Sequence, residues 1–517
     1  MNDLLNALAG LEGLNTPAPR RVVSSPVNPA GASKAVPVWT PEQEALLGAT
    51  AARVDAVALA GTGKTAVLSE FARRRARAKW RYLTFNRALA DEAVASMPSN
   101  VRAGTFHALA FPRYGAPLGP KLGKRFNPLE VRRAVGWTAF EGWETAVAAL
   151  RQWREGFLAS TAQVPALGQL PPAAWAWLVA RPGLLDAIGG SEGFMKAAER
   201  LWDVTLDGRW TEIDAPGETP LKLMALAGVS WGADGILVDE AQDLTPAMMH
   251  GLNQQGAQVI AAGDPSQNLY AWRRAGGAWP TAGAELFSLT GSFRFGEPVA
   301  EVANACLARL GQAQRLVGLN PVSSVAPADG PLSPGLTWLA RTQAGALVGA
   351  LAALEQGLRP AWVGKGSLGR LQAVLDVADG RASTDPWLAG LTSLDAVAQT
   401  AEEAGALEWR SAVRLIQRQG ASEIKRALKE MVAQQGEGDV RIATVHQAKG
   451  RTFDRVRLAD DLRWETTDAE ERRVNYVAVT RSAHLELPPA AQEALKKERL
   501  PGAEGVPSED GFSDSGF

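Results

Sequence analysis

The residues best placed to do chemistry sit in Ala60-Gly61-Thr62-Gly63-Lys64-Thr65-Ala66 of a 517-residue chain. Two glycines, a lysine and two hydroxyls in so short a run suit a loop that wraps an anion. Glycines let backbone N–H groups close on phosphate oxygens, Lys64 reaches the β- and γ-phosphates, and the Thr65 hydroxyl is a ligand for Mg²⁺. The flanks agree with this. Val54 to Leu59 is small and apolar, as in a buried parallel strand, and Ala66-Val67-Leu68 with Phe71 opens a helix. Strand, tight turn and helix N-terminus bring the positive end of a helix dipole to the phosphates. Ala58 stands where the first glycine of the usual pattern falls.

A second set of chemical groups follows at Ile236-Leu237-Val238-Asp239-Glu240-Ala241-Gln242-Asp243. An apolar strand ending in two acids completes a nucleotide-hydrolysing site: Asp239 holds Mg²⁺ and Glu240 polarises the attacking water. A third strand, Val259-Ile260-Ala261-Ala262, leads into Gly263-Asp264-Pro265-Ser266-Gln267-Asn268-Leu269-Tyr270-Ala271-Trp272-Arg273-Arg274. Gln267 is placed to sense a γ-phosphate, while Tyr270 and Trp272 offer a stacking platform on the same loop. Upstream, Thr40-Pro41-Glu42-Gln43 has the form of a capping box. Gln43 therefore has two readings, a helix cap or an amide that pairs with the edge of an adenine ring.

The elements that must carry these groups are those of an ordinary globular protein, with 46% hydrophobic and 21% charged residues. The length calls for about three or four compact units. A net charge of −1 excludes a chain coated in basic residues but leaves room for a locally basic groove. One cysteine, Cys306, excludes an internal disulfide and suits a reducing compartment, and four histidines with one cysteine give no zinc cluster. No run of about 18 apolar residues reads as a membrane span. Met1 to Leu14 lacks the basic start of a secretory signal. The 17 tryptophans read mostly as packing residues.

In chain order, residues 1–38 read as a disordered leader, with Leu4, Leu8 and Leu11 on one face of a short helix that could dock a partner. Residues 39–107 and 223–288 make a first sheet domain, with further strands at Arg81–Phe85 and near Ala103–Thr105. Between them, 108–222 is Ala- and Trp-rich with helical periodicity and reads as an insertion. A second sheet domain covers 289–366 and 437–492, with strands at Leu336–Arg341, Val440–Thr444 and Arg455–Leu458. Residues 367–436 form its smaller helical insertion, and 493–517 an acidic, disordered tail that could serve as a docking peptide.

Taken together, the chain resembles a superfamily 1 DNA helicase of the UvrD type, on the branch of the F-box DNA helicases and their microbial relatives. The resemblance is carried by Ala60 to Thr65, Tyr82-Leu83-Thr84-Phe85-Asn86, Pro98-Ser99-Asn100-Val101 and Thr105-Phe106-His107-Ala108-Leu109-Ala110. It continues in Asp239 to Asp243, Gly263 to Gln267, Ser292-Phe293-Arg294-Phe295-Gly296, Thr444-Val445-His446-Gln447-Ala448-Lys449-Gly450 and Tyr476-Val477-Ala478-Val479-Thr480-Arg481. It implies an α/β fold of two RecA-like P-loop domains with parallel sheets, each carrying a mainly helical insertion, and ATP with Mg²⁺ between them. Gln43, the Ala60–Ala66 loop, Asp239, Glu240 and Gln267 would come from the first domain. Arg294 and Arg481 would come from the second, as arginine fingers stabilising γ-phosphoryl charge.

The resemblance also implies a track for single-stranded DNA and its junctions with duplex. Phe85, Tyr270 and Trp272 would stack bases, with Thr84, Asn86, Thr105, His107, Arg273, His446 and Lys449 near the backbone. Phe85 reads equally as core, and backbone hydrogen bonding is the plain alternative for both histidines. The implied activity is ATP-driven movement 3′→5′ with unwinding, in DNA repair or recombination, by a monomer in a bacterial or phage-type cytoplasm. The rivals are a translocase that displaces protein with little unwinding and a non-catalytic DNA-binding adaptor. Three departures from the family stand out. Arg451-Thr452-Phe453 replaces Leu-Glu-Phe, so the family's sugar contact is not carried to Thr452. No F-box is discernible, and no nuclease-like carboxylate cluster follows Arg481.

Overall fold

The computed structural model describes residues 38–269, 279–363, 368–383, 385, 388, 390–403, 406–434 and 437–496. They fall into two compact units, one within residues 38–291 and 368–424, the other within 292–363 and 425–496.

The first unit opens on α1 (Pro41–Leu47), and the capping box expected there is present. Thr40 Oγ1 accepts from the Gln43 N–H at 3.2 Å, and Gln43 Oε1 accepts from the Thr40 N–H at 2.9 Å. There follow β1 (Arg53–Ala58), α2 (Lys64–Arg74), β2 (Trp80–Thr84), α3 (Arg87–Ser96), β3 (Val101–Thr105) and α4 (Phe106–Ala110). The chain then leaves the sheet for helices that include α5 (Trp143–Ala159), α6 (Gly190–Leu206) and α7 (Thr219–Ala227). It returns for β4 (Gly235–Asp239), α8 (Pro246–Asn253), β5 (Gln258–Gly263) and β6 (Glu285–Leu289). The six strands stand in the order β3-β2-β4-β5-β1-β6, all parallel. β4 is buried along its whole length, which is why it reads as an unbroken apolar run. The edge strand β6, with Glu285, Leu286 and Ser288 exposed, lacks that signature and is missing from the sequence reading.

Side-chain alternation divides the core between the two faces of this sheet. Tyr82 and Leu237 pack with Leu68 and Phe71 on the α2 side. Leu83, Ile236 and Val238 point the other way, into a cluster shared with Phe106, Trp153, Phe157 and Trp202. The helical insertion is therefore continuous with the sheet's own core. Trp153 stacks on Phe157 at 5.3 Å and Phe157 meets Trp202 edge-on at 5.1 Å. Each such pair adds about 0.5–1.5 kcal/mol beyond area burial.

Buried cations close the helix ends in this region. Past α5, Lys222 Nζ donates to the carbonyls of Ser160 and Ala162, both at 2.6 Å. At the end of α6, Lys121 Nζ donates to the carbonyls of Val204 and Asp207. Cations at helix C-termini satisfy orphan carbonyls and suit the dipole. Burial nevertheless pushes the Lys222 ammonium down to about 7.

The second unit contains a short pair, β7 (Gly291–Ser292) and β8 (Val317–Gly318), with α9 (Glu297–Arg309) between them. Its main sheet comprises β9 (Ser324–Pro327), β10 (Leu336–Ala340), β11 (Pro360–Trp362), β12 (Val440–Thr444), β13 (Phe453–Leu458) and β14 (Ser482–Leu487). These run parallel in the order β11-β12-β10-β13-β14-β9. The helices α10 (Gln343–Glu355), α11 (Val445–Ala448) and α12 (Ala469–Val479) accompany them. Of these strands the sequence shows β10, β12 and β13; β9 and β11 are too short, and β14 too polar, to stand out. Two parallel α/β sheets is the expected fold class. Helices Gly369–Ala378, Leu394–Glu403 and Leu407–Gln419, inserted in sequence between β11 and β12, are compact with the first unit. A helix at Pro489–Lys496 includes residues 493–496, which the sequence reading places in the tail.

Candidate active site

The Lys64 loop lies between β1 and α2, as its glycines and apolar flanks predict. Gly61 and Gly63 have φ of 77° and 79°, the left-handed region that favours glycine. Thr62, 1% exposed, closes the turn by donating its hydroxyl to the Leu59 carbonyl at 2.9 Å. Ala60 is buried, whereas Thr65 and Ala66 at the start of α2 are exposed. Lys64 Nζ is folded into the loop, donating to the carbonyls of Ala58 at 2.9 Å and Leu59 at 3.3 Å.

Asp239, at the C-terminal end of β4, is the hub. Its Oδ2 accepts from the Thr65 hydroxyl at 2.6 Å and from the Tyr82 phenol at 2.8 Å, and its Oδ1 accepts from the Glu240 N–H at 2.9 Å. Burial raises the Asp239 pKa above the usual carboxylate value, and nearby Glu240 adds to the rise; the hydrogen bonds and Lys64 oppose it. Burial also raises the Tyr82 phenol, with the Asp239 charge adding to it, so this hydroxyl stays a donor. Glu240 has φ 57°, the one non-glycine residue with positive φ among those described. Such backbone strain costs on the order of 1–3 kcal/mol and gathers at functional positions.

A second chain of contacts runs from Glu240 to the loop after β5. Gln242 donates its amide to the Glu240 carboxylate and accepts from the Asp264 N–H at 2.9 Å. Asp264 in turn accepts from the Gln267 amide at 2.7 Å. Gly263 makes room for this: a Cβ there would lie 2.5 Å from Gln242 Oε1. Gln242, Asp264 and Gln267 are 1%, 0% and 4% exposed, a closed polar network in a dry setting. The sequence reading assigns Gln267 a role but none to Tyr82, Gln242 or Asp264. A polar residue inside an apolar strand run was the only available signal for Tyr82.

Gln43 is bound at both ends of its amide, by the Thr40 N–H and, through Nε2, by the Thr62 carbonyl at 3.0 Å. It therefore braces α1 against the phosphate loop. In the second unit, Arg294 and Arg481 converge on Thr480: Arg294 Nη1 donates to its carbonyl at 2.8 Å and Arg481 Nη2 to its hydroxyl at 3.0 Å. Arg481, 1% exposed, also holds the Val477 carbonyl at 2.8 Å, at the C-terminal end of α12.

The residues expected along a DNA track separate into groups. Phe85 and His107 are half-buried and meet edge-on at 5.3 Å, at the ends of neighbouring β2 and β3. Asn86 and Thr105 are helix caps, accepting from the N–H groups of Ala88 at 2.8 Å and Ala108 at 3.0 Å. Thr84 is fully buried, because β2 is covered on both faces at Tyr82, Leu83 and Thr84, so its side chain does not present to solvent. His446 is half-buried in α11 and Lys449 just beyond it is 8% exposed. Tyr270, Trp272 and Arg273 lie outside the described residues, as do the leader to residue 37 and the tail from 497.

A glycine-lysine-threonine loop, an acid pair on the central strand and a polar loop on the next define a P-loop nucleotide-hydrolase type of site on a parallel sheet. Residues 230–278 match the UvrD/REP helicase N-terminal domain, and residues 439–485 match the UvrD-like helicase C-terminal domain. F-box DNA helicase 1 of Gallus gallus is 29% identical over 464 residues, covering 82% of this chain and 44% of that protein. F-box DNA helicase protein 1 of Schizosaccharomyces pombe is 25% identical over 497 residues, covering 82% of this chain and 54% of that protein. The chain thus spans about half the length of these relatives. A solved structure titled "The structure of PRRSV helicase" aligns with a TM-score of 0.32 at 12% identity, over 88% of this chain and 55% of that one, too weak to carry weight. The chain is thus similar to UvrD-type helicase domains over two stretches and to the F-box DNA helicases over most of its length. No helix among the described residues is long and apolar enough to cross a membrane.

Proposed function

We propose that this protein is an ATP-driven motor on single-stranded DNA that moves 3′→5′ and separates duplex ahead of it, in repair or recombination. The observation that carries the reading is the 2.6 Å bond between Thr65 and Asp239, which joins the phosphate loop to the acidic strand across 174 residues and leaves Glu240 beside it. Both relatives are named as DNA helicases, which supports the substrate class.

The donor set suits Mg²⁺ with a nucleoside triphosphate. A hard cation of this kind takes one or two protein oxygens and completes its shell with phosphates and water. Thr65 and Asp239 would supply those oxygens, and among the described residues no group of three or more His, Cys, Asp or Glu competes as a metal site. When bound, the metal neutralises phosphate charge. Lys64 and the loop amides bind the phosphates, Glu240 takes the proton of the attacking water, and Gln267 reports on the γ-position through Asp264. Arg294 and Arg481 stabilise the charge that develops on the transferred group. Phe85, Tyr270 and Trp272 stack bases, with His107 near the backbone, and Trp272→Ala weakens DNA stimulation while basal ATP hydrolysis is kept.

The test is ATP hydrolysis with and without single-stranded DNA, run beside strand displacement on duplexes tailed at either end. Stimulated hydrolysis and displacement of the 3′-tailed duplex alone support the proposal. Stimulation without displacement reduces it to a translocase, and turnover no greater than that of Glu240→Gln overturns it.

A further inference from the structure

We propose that Tyr82 is a positioning residue for the divalent cation: its phenol hydroxyl holds the Asp239 carboxylate in the orientation that ligates the metal. The inference rests on the nucleotide-site reading above and goes beyond it, since Tyr82 would touch neither metal nor nucleotide.

Tyr82 sits in mid-β2 with no exposed surface, packed on the α2 side of the sheet near Phe71 and Leu237. Packing alone would be served by phenylalanine. A phenol oxygen is costly to bury without a partner, and here the partner is a carboxylate 157 residues away, at 2.8 Å. The bond reaches Asp239 from inside the sheet, whereas Thr65 reaches it from the exposed start of α2. Tyr82 therefore holds the carboxylate from the sheet side, at the same oxygen that Thr65 reaches from the loop. Three protein donors act on the two oxygens, and a carboxylate has about four acceptor sites, so one remains for a further ligand. Outer-shell donors of this kind typically change metal affinity or activity by about 10–100-fold when removed.

The experiment compares wild type with Tyr82→Phe in the full chain. Mn²⁺ binding to the ADP-bound protein is followed by electron paramagnetic resonance, and ADP binding is measured separately in EDTA. The expected result is roughly tenfold weaker Mn²⁺ binding, with ADP affinity in EDTA unchanged. The Mg²⁺ concentration for half-maximal ATP hydrolysis rises in parallel, and Mn²⁺, the tighter-binding ion, restores kcat. Unchanged metal affinity overturns the proposal, as does an equal loss of ADP binding without metal, which marks a structural role. Wild type that binds neither ADP nor Mn²⁺ removes the nucleotide-site reading and this proposal with it. Should Tyr82→Phe not fold, 3-fluorotyrosine at position 82 keeps shape and hydroxyl. Its fluorine resonance must then shift when Mg²⁺ joins the ADP-bound protein, and a static resonance overturns the assignment.

Discussion

The two units hold their chemical groups in different ways. In the first, reactive side chains bond to one another: Thr65 and Tyr82 to Asp239, Gln242 to Glu240, Gln267 to Asp264. In the second, Arg294 and Arg481 reach groups of the chain itself, among them the Thr480 carbonyl and hydroxyl and the Val477 and Arg451 carbonyls. Side-chain networks respond to substitution as a unit and lose additivity. Arginines hung on backbone acceptors depend instead on where one helix end stops. The first arrangement fixes a constellation; the second gathers two charges at one helix end.

That contrast can be broken most directly at Glu240. Glu240→Gln lowers kcat by about 10⁴, the upper range for loss of a general base, while equilibrium ATP binding is retained; Lys64→Ala abolishes turnover and weakens binding as well. Next, Arg294→Ala lowers kcat by roughly 10³ with nucleotide affinity little changed, because its guanidinium donates to the Thr480 carbonyl and not to a side chain of the first unit's network. Equal loss of ATP affinity would show that it belongs to the binding network. A smaller effect sharpens the claim of a network: Gln242→Ala and Gln267→Ala, combined, cost less than the sum of the two alone by about 0.5–3 kcal/mol. Strict additivity in kcat/KM would mean that the contacts through Asp264 are incidental. Gly263→Ala destabilises the first unit by about 1–3 kcal/mol through overpacking against Gln242, read as a shift in urea midpoint.

A last effect concerns the buried lysine beneath the insertion. Lys222 titrates at about 7 in the folded protein against an ordinary value of 10.5. Between those values the unfolded chain binds the extra proton, so stability rises with pH across that window, by at most about 1.4 kcal/mol per pH unit. Below pH 7 the burial cost is fully present. Lys222→Met flattens this slope between pH 7 and 9 relative to wild type, even though it leaves the Ser160 and Ala162 carbonyls without their donor.

Most of the first sheet was legible because central parallel strands are apolar on both faces and end where polar loops begin, as at Asp239 and Gly263. The capping box at Thr40 was legible because its partners are three residues apart. What escaped has distant causes. Tyr82 finds its acceptor 157 residues on and Gln242 its donor 22 residues on, and no local spacing encodes either. Thr84 adjoins a loop of candidate binding residues, but β2 is covered on both faces there and its side chain is buried. In the second sheet, β9 and β11 are four and three residues long, below the span at which periodicity is visible.

The 174-residue separation of Thr65 and Asp239 also sets a clock for synthesis. At about 5–20 residues per second, a ribosome releases the acid roughly 9–35 seconds after the hydroxyl that it meets. The neighbours of β4 on either side, β2 and β5, cannot be joined through it before then. Until then the Thr65 hydroxyl and the Tyr82 phenol lack the carboxylate on which both converge.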